Sequence, residues 1–268
     1  MQIFINEQST QTKTGLGLYE LRDSYKANAD LLIVNGYPIN RDKPLKDGDR
    51  VVLISRCEPP TSAELEALMR VRHTPEVHEK IKNSCVGIAG VGGLGSNIAV
   101  ALTRVGVSKL VVADFDLVEP SNLNRQHYFI DQIGLPKVLA LHGILQRINP
   151  DIQVETIQEK ITPGNLQTYF AAVDVMVEAF DAVDQKTMLI SHFLNDCRQI
   201  PLVSASGVAG YAPSNSIITR KVSNNLYICG DGVTVAQPGQ GLMAPRVGIA
   251  AHHQANAVLR LLLGEEPE

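Results

Sequence analysis

The sequence predicts an α/β fold, a Rossmann-like and mostly parallel sheet with helices on both faces, preceded by a small α+β module. Three observations predict it. From Cys85 onward, short apolar runs alternate with amphipathic stretches at helical spacing, the pattern of a sheet covered on both sides. The first run, containing Val86, Ile88 and Ala89, leads into Gly90, Gly92 and Gly95. That G-x-G-x-x-G spacing lets backbone N–H groups approach a phosphate at a helix N-terminus, and residues 97–104 continue as the helix. The second run, residues 109–114, closes on Asp114, at the distance where an acceptor for a ribose hydroxyl is expected.

Composition narrows the classes. The 268 residues, 44% hydrophobic and 19% charged, suffice for one large domain, or one large and one small. A net charge of −4 gives no electrostatic case for nucleic acid or an anionic membrane as main partner. The longest apolar runs, such as residues 257–263, are too short to cross a bilayer. No basic-then-apolar leader is read, so cytoplasm is expected. Cys57, Cys85, Cys197 and Cys229 are widely separated; without a C-x-x-C pair, no zinc is expected. Cys85 and Cys197 read as core residues.

Residues 1–57 read as a separate α+β module. Residues 2–6 predict a strand, 18–29 an amphipathic helix, 32–36 a strand entering a turn, and 50–55 a final strand after a turn at 45–49. Val34, Asn35 and Gly36, with the run from Leu45 through Asp47, Gly48 and Asp49 to Val52, resemble the ubiquitin-like β-grasp sulfur carriers of thiamine and molybdopterin synthesis. Those carriers end in a free Gly-Gly whose carboxylate reacts. Here Arg56, Cys57, Glu58, Pro59 and Pro60 follow and the chain continues, with a stiff Pro-Pro where a threading tail would be needed. A docking or regulatory module is expected, with a degenerate fused domain as the plainer alternative.

Residues 58–83 read as a helical linker. Thr61 is a plausible cap for a helix over 61–70 and Pro75 opens another to residue 81, with the basic Arg70, Arg72 and His73 between. Residues 84–268 form the larger domain. Strands are predicted at 152–157, 173–177 and 201–204, and helices at 136–148, 164–170, 185–199 and 246–263. Residues 206–245, rich in Gly, Pro and Asn, show no clear period.

In an open parallel sheet, residues just past strand carboxyl ends share one crevice. There the glycine loop would meet Asp114, Arg125, Lys137 and Asp181. Two cations exceed what a dinucleotide's pyrophosphate requires. They suit a nucleoside triphosphate, with Asp181 holding Mg²⁺ directly or through water. The string Gly90, Gly92, Gly93, Gly95 and Ser96, then Asp114 and Asp116, then Ser121, Asn122, Arg125 and Gln126, then Gly134 and Lys137 resembles the ThiF/MoeB family. These adenylating enzymes are related to ubiquitin-activating enzymes, and the resemblance covers roughly residues 70–263. It implies ATP-dependent adenylylation of the C-terminal carboxylate of a small β-grasp sulfur carrier ending in Gly-Gly, for thiamine or a related cofactor. It implies that Asp114 binds ribose and that Asn122, Arg125, Gln126 and Lys137 handle phosphates. The four glycines and Asp116 complete the nucleotide site, and Asp181 positions the metal. Ser96 and Asn97 would begin the helix under the phosphates. It further implies a homodimer in which Arg72, or else Arg70, reaches the γ-phosphate across the interface.

The chemistry needs no general base, because a carboxylate is already an anion. Catalysis is positioning plus neutralisation of the triphosphate and leaving pyrophosphate. Two features depart from the family: many members carry two C-x-x-C pairs for zinc, and some use a cysteine before the final helix. Cys229, read in a flexible glycine-containing loop, is the candidate reactive thiol, with a buried small residue anchoring the loop as the plainer alternative. His252 and His253 face different directions on a helix and read as structural. Two other readings stand. An NAD-dependent oxidoreductase would use the glycines and Asp114 but leave Arg125, Lys137 and Asp181 without a shared purpose. In the other, a non-catalytic module, the fused N-terminal domain occupies the carrier-docking surface.

Overall fold

The structure, a computed structural model, describes residues 1–6 and 8–268. The chain divides into two units, Met1–Glu79 and Lys80–Glu268. The first contains β1 (Gln2–Ile5), β2 (Gln8–Gln11), α1 (Leu18–Tyr25), β3 (Leu31–Val34), β4 (Tyr37–Ile39) and β5 (Arg50–Ile54). Its sheet runs β2-β1-β5-β3-β4, with β1 and β5 parallel and the other pairs antiparallel. Period-2 alternation sorts the central strands. Leu32, Val34, Val51 and Leu53 pack with Leu18 and Leu21 of α1, while Ile33, Val52 and Ile54 face the other way. That second face is covered by α2 (Ser62–His73) through Ala67, Leu68 and Val71. So β3 and β5 are apolar on both faces, which explains their unbroken apolar runs.

The segment between β5 and α2 is tied down. Arg56 donates through its backbone N–H and Nε to the Asp30 carboxylate at 3.0 and 2.8 Å. Asn28 donates to Glu58 at 2.7 Å, and Lys26 pairs with the buried Glu64 at 2.8 Å. Thr61 and Glu64 form a capping box that starts α2.

In the second unit α3 (Pro75–Lys82), which begins in the first, leads to β6 (Cys85–Ala89), α4 (Gly93–Arg104), β7 (Lys109–Ala113), α5 (Lys137–Ile148), β8 (Gln153–Ile157) and α6 (Leu166–Phe170). Next come β9 (Val175–Glu178), α7 (Val183–Asp196), β10 (Leu202–Ala205), β11 (Ile218–Ser223), β12 (Leu226–Gly230) and α8 (Ala244–Leu263). The sheet order is β11-β12-β10-β9-β6-β7-β8, parallel except for β11. Leu166, Phe170, Leu189 and Phe193 of α6 and α7 pack against one face with Val111, Met176 and Leu202, and α4 and α8 pack along each other. The predicted doubly covered sheet and its small α+β companion are what the structure shows. Because β9, β6 and β7 are neighbours, their carboxyl ends open side by side. Among the described residues, no helix is long and apolar enough to cross a membrane.

Four strands lie outside the sequence expectation. β2 is wholly polar, β4 carries Pro38, and β11 is almost entirely exposed; all three are edge strands. β12 falls in the region without a clear period.

Candidate nucleotide site

The glycine loop is fixed by contacts that only glycine permits. Gly90 has φ +89°, and a Cβ there would lie 2.7 Å from the Ala179 carbonyl oxygen. A Cβ on Gly95 would lie 1.9 Å from the Gly90 carbonyl oxygen. The first contact draws the turn after β9 against the loop; the second seats α4 on it. α4 begins at Gly93, four residues earlier than predicted, and its N-cap Gly92 offers no side chain to its first-turn N–H groups. Those donors and the helix dipole form an anion site.

Segment 121–128 is strapped over this loop. Tyr128 donates its hydroxyl to the Val91 carbonyl at 2.7 Å. Ser96 Oγ donates to Gly92 O at 2.7 Å and accepts from the His127 N–H at 3.2 Å. Asn97 Nδ2 donates to the carbonyls of Gly93 and Arg125 at 2.7 and 3.3 Å. Sequence reasoning placed Ser96 and Asn97 under the phosphates, with capping as their plainer role. In the structure they join two loops, and Tyr128 was not foreseen at all. Arg125 and Gln126 therefore lie beside the glycines, within 3.5 and 3.6 Å of where Cβ atoms on Gly93 and Gly92 would be. Arg125 donates through Nη1 to Ser121 O and Asn124 Oδ1, while its buried Nε and the buried Oε1 of Gln126 have no partner among the described residues. Buried Asn122 accepts the Glu119 N–H and holds a 3₁₀ turn.

Asp114 follows β7 and accepts N–H bonds from Val91 at 2.8 Å and Asp116 at 2.9 Å. Burial pushes its carboxyl up, against the pull of Lys137 and these two bonds. Lys137, 6% exposed, is the first residue of α5 and pairs with Asp116 at 2.7 Å. A buried ammonium at the positive end of a helix is electrostatically unfavourable, and one exposed carboxylate offsets only part of that. A lysine in this place suits an anion. Asp181 lies one residue beyond the turn that touches Gly90 and is exposed. Among the described residues no three His, Cys, Asp or Glu groups converge as a metal cage.

In the first unit Arg70 is paired with Glu79 at 2.7 Å, whereas Arg72 is exposed. Cys229 requires a correction. It lies in β12, fully buried, not in a flexible loop, and burial pushes its thiol up to about 11. That shift and its burial both disfavour the thiolate, the form that reacts. Brief alkylation of the native protein followed by peptide mass spectrometry is expected to label the exposed Cys57 and spare Cys229. Equal labelling of the two would contradict this. His253 accepts or donates a bond to Thr219 Oγ1 at 3.2 Å, a structural contact.

A parallel sheet whose adjacent strand ends carry a glycine loop, two carboxylates and a buried lysine defines a nucleotide-binding α/β protein, joined to a β-grasp unit. Comparison with known proteins makes this specific: residues 66–268 match the ThiF family, and the chain belongs to it. Residues 1–57 match the ThiS-like ubiquitin family. The chain is 42% identical to ubiquitin-like modifier-activating enzyme 5 of Drosophila ananassae over 112 residues, 41% of this chain and 28% of that protein. It is 36% identical to tRNA threonylcarbamoyladenosine dehydratase of Bacillus subtilis over 135 residues, 49% and 52% of the two chains. These matches thus span about half or less of the relatives' length. Among solved structures, Escherichia coli tRNA threonylcarbamoyladenosine dehydratase with AMP superposes with TM-score 0.67 and 21% identity, over 73% of this chain and 93% of that one, a likeness of fold. The same E. coli protein is also known with ATP.

Proposed function

We propose that this protein binds ATP and adenylylates the C-terminal carboxylate of a small ubiquitin-like sulfur carrier, in thiamine or related cofactor biosynthesis. The observation that carries the reading is Lys137, a buried cation at a helix N-terminus beside Asp116 and the Asp114 rim. Arg125, with its unpartnered Nε, stands by the glycines. Together they favour a ligand with more negative charge than a dinucleotide presents. The relatives' complexes with AMP and ATP agree with it.

A carrier carboxylate oxygen forms a bond to the α-phosphorus as the bond from that phosphorus to the bridging oxygen breaks. The electron pair leaves with pyrophosphate. Lys137, Arg125 and the first-turn N–H groups of α4 hold and neutralise the phosphates, Asp114 orients the ribose, and Asn122 and Gln126 keep the strap in register. Asp181, as a lone exposed carboxylate, would hold Mg²⁺ together with oxygens of the nucleotide, and the ion would supply further neutralisation. In a homodimer Arg72, which unlike Arg70 has no acidic partner among the described residues, is the arginine we assign to the partner's γ-phosphate. The tied-down segment after β5 supports a carrier supplied by another chain.

ATP–pyrophosphate exchange tests this. Exchange is expected only with a carrier ending in Gly-Gly, and Lys137→Met should lower it on the order of 10²- to 10³-fold, as loss of a preorganised electrostatic donor does. ATP binding without exchange in the presence of any carrier would defeat the reading. The dehydratase relative favours a second one, a tRNA-linked substrate. Exchange stimulated by tRNA and indifferent to carriers would establish it instead.

A further inference from the structure

The turn that delivers Asp181 is held from two sides. On one side lies Gly90, with no side chain between it and the Ala179–Phe180 peptide. On the other lies Glu178, the last residue of β9 and fully buried. Its Oε1 accepts the Phe180 N–H at 2.8 Å. Its Oε2 accepts from Ser204 Oγ at 2.5 Å and from Lys186 Nζ. Its backbone carbonyl accepts from buried Gln254 of α8 at 3.1 Å. Two elements, α7 and β10, therefore meet its carboxylate, and α8 meets its backbone carbonyl, three residues before Asp181.

A buried ion pair is seldom the cheapest way to stabilise a core, since apolar residues of similar volume do as well or better. This pair does something an apolar residue could not. A carboxylate offers acceptors on both oxygens, so it bonds Lys186 and Ser204 on one side and the turn's N–H on the other. Lys186 in the first turn of α7 stands at the positive end of that helix, where a cation is disfavoured without a partner. Its ammonium holds one carboxylate oxygen of Glu178 beside Ser204 while the second oxygen stays on Phe180.

We propose that Glu178 is a positioning residue that sets the 179–181 turn, and so the place of Asp181 beside the bound triphosphate, with Lys186 fixing the carboxylate's orientation. The proposal rests on the adenylylation reading. Glu178→Gln separates it from a merely structural role. An amide has one acceptor. Lys186 and Ser204 pull the amide oxygen toward themselves and leave its NH₂ facing the Phe180 N–H, donor against donor. The turn must move away. Replacing Lys186 with Met in addition removes that pull, and the amide oxygen can return to Phe180.

In carrier-dependent exchange, Glu178→Gln is expected to lower kcat on the order of 10²-fold with KM for ATP changed less than about threefold, the mark of misplaced catalytic geometry. The double variant Glu178→Gln/Lys186→Met should recover about tenfold of that loss. Ser204→Ala, which removes one donor and leaves the pair, should lower kcat by less than about tenfold, again with KM unchanged. Wild-type kcat in Glu178→Gln, no recovery in the double variant, or a loss that follows falling thermal stability across the three variants would overturn the proposal. A crystal structure of Glu178→Gln reads the same point without activity. Displacement of residues 179–181 within an unmoved sheet supports it, and an unmoved turn overturns it. If the wild-type protein exchanges with no carrier, the adenylylation reading fails by itself and the position of the turn still decides this one.

Discussion

Gly95→Ala is expected to cost the second unit about 4 kcal/mol or more and to abolish ATP binding, a loss in the range reserved for severe steric or burial defects. Helix propensity alone argues the reverse. Gly95 lies inside α4, and alanine is favoured over glycine in a helix by about 1 kcal/mol. The overlap decides. The added methyl would stand 1.9 Å from the Gly90 carbonyl oxygen and 2.9 Å from its carbon, backbone atoms that cannot swing aside. Relief requires lifting α4 off β6, and with it the first-turn N–H groups that face the phosphates. Gly143 of α5 supplies the control, since a Cβ there meets nothing within 4 Å. Gly143→Ala should be neutral or stabilising by about 0.5–1 kcal/mol. Thermal denaturation and calorimetric ATP titration of both variants check this. Wild-type affinity in Gly95→Ala would show that the loop does not hold the nucleotide.

Much of the candidate site was legible because its residues report backbone needs or charge, which a sequence displays directly. The glycines mark close approaches, Asp114 ends an apolar run, Asp181 is a charged group just past a predicted strand, and Arg125 and Lys137 are charged groups in and at the end of the connection that follows Asp114. The strands of the doubly covered sheet were legible for the same reason: β6, β7, β9 and β10 are buried on both faces and read as apolar runs. Of the edge strands, β8 was legible through its alternation, and the other three were not. β2, β4 and β11 pair on one side only, so neighbours and not their own apolar pattern make them strands. Cys229 was misplaced through that gap, because without the β11–β12 hairpin its surroundings read as a loop.

Residues that act through the fold were the least legible. Glu178 sits in an apolar stretch where a single acid reads as a strand end, and nothing beside Tyr128 in the sequence marks it. Their partners lie 26 and 37 residues away along the chain, and only folding brings them together. The same holds for Arg246, which on sequence reads as the first basic residue of the last helix.

Arg246→Met is expected to lower unfolding free energy by about 3–5 kcal/mol, the usual cost of breaking a buried ion pair from one side. Arg246 is 3% exposed and satisfies five acceptors at once. Nε donates to Ala209 O at 3.1 Å, Nη1 to Ala212 O and Pro213 O at 3.0 and 3.2 Å, and Nη2 to Ser216 Oγ and Asp231 Oδ2 at 3.1 and 2.6 Å. Asp231 in turn accepts the N–H groups of Val233 and Thr234 at 2.8 Å. Burial pushes its carboxyl up, yet those N–H bonds, the Thr234 hydroxyl and Arg246 hold it below the ordinary value. A depressed folded-state pKa gives stability that is present above the unfolded value and lost as pH falls through the folded one. The deficit of the variant should therefore shrink in acid. Arg246 ties the loops after β10 and β12 to α8 through these bonds. Urea denaturation should show the loss, and limited proteolysis should open residues 206–217 first. Arg246→Lys, with one nitrogen against five acceptors spread over two loops, should restore less than half. A deficit under about 1 kcal/mol for Arg246→Met would place the pair among weak surface bridges, and the loops would then owe their shape to glycine and turn geometry alone.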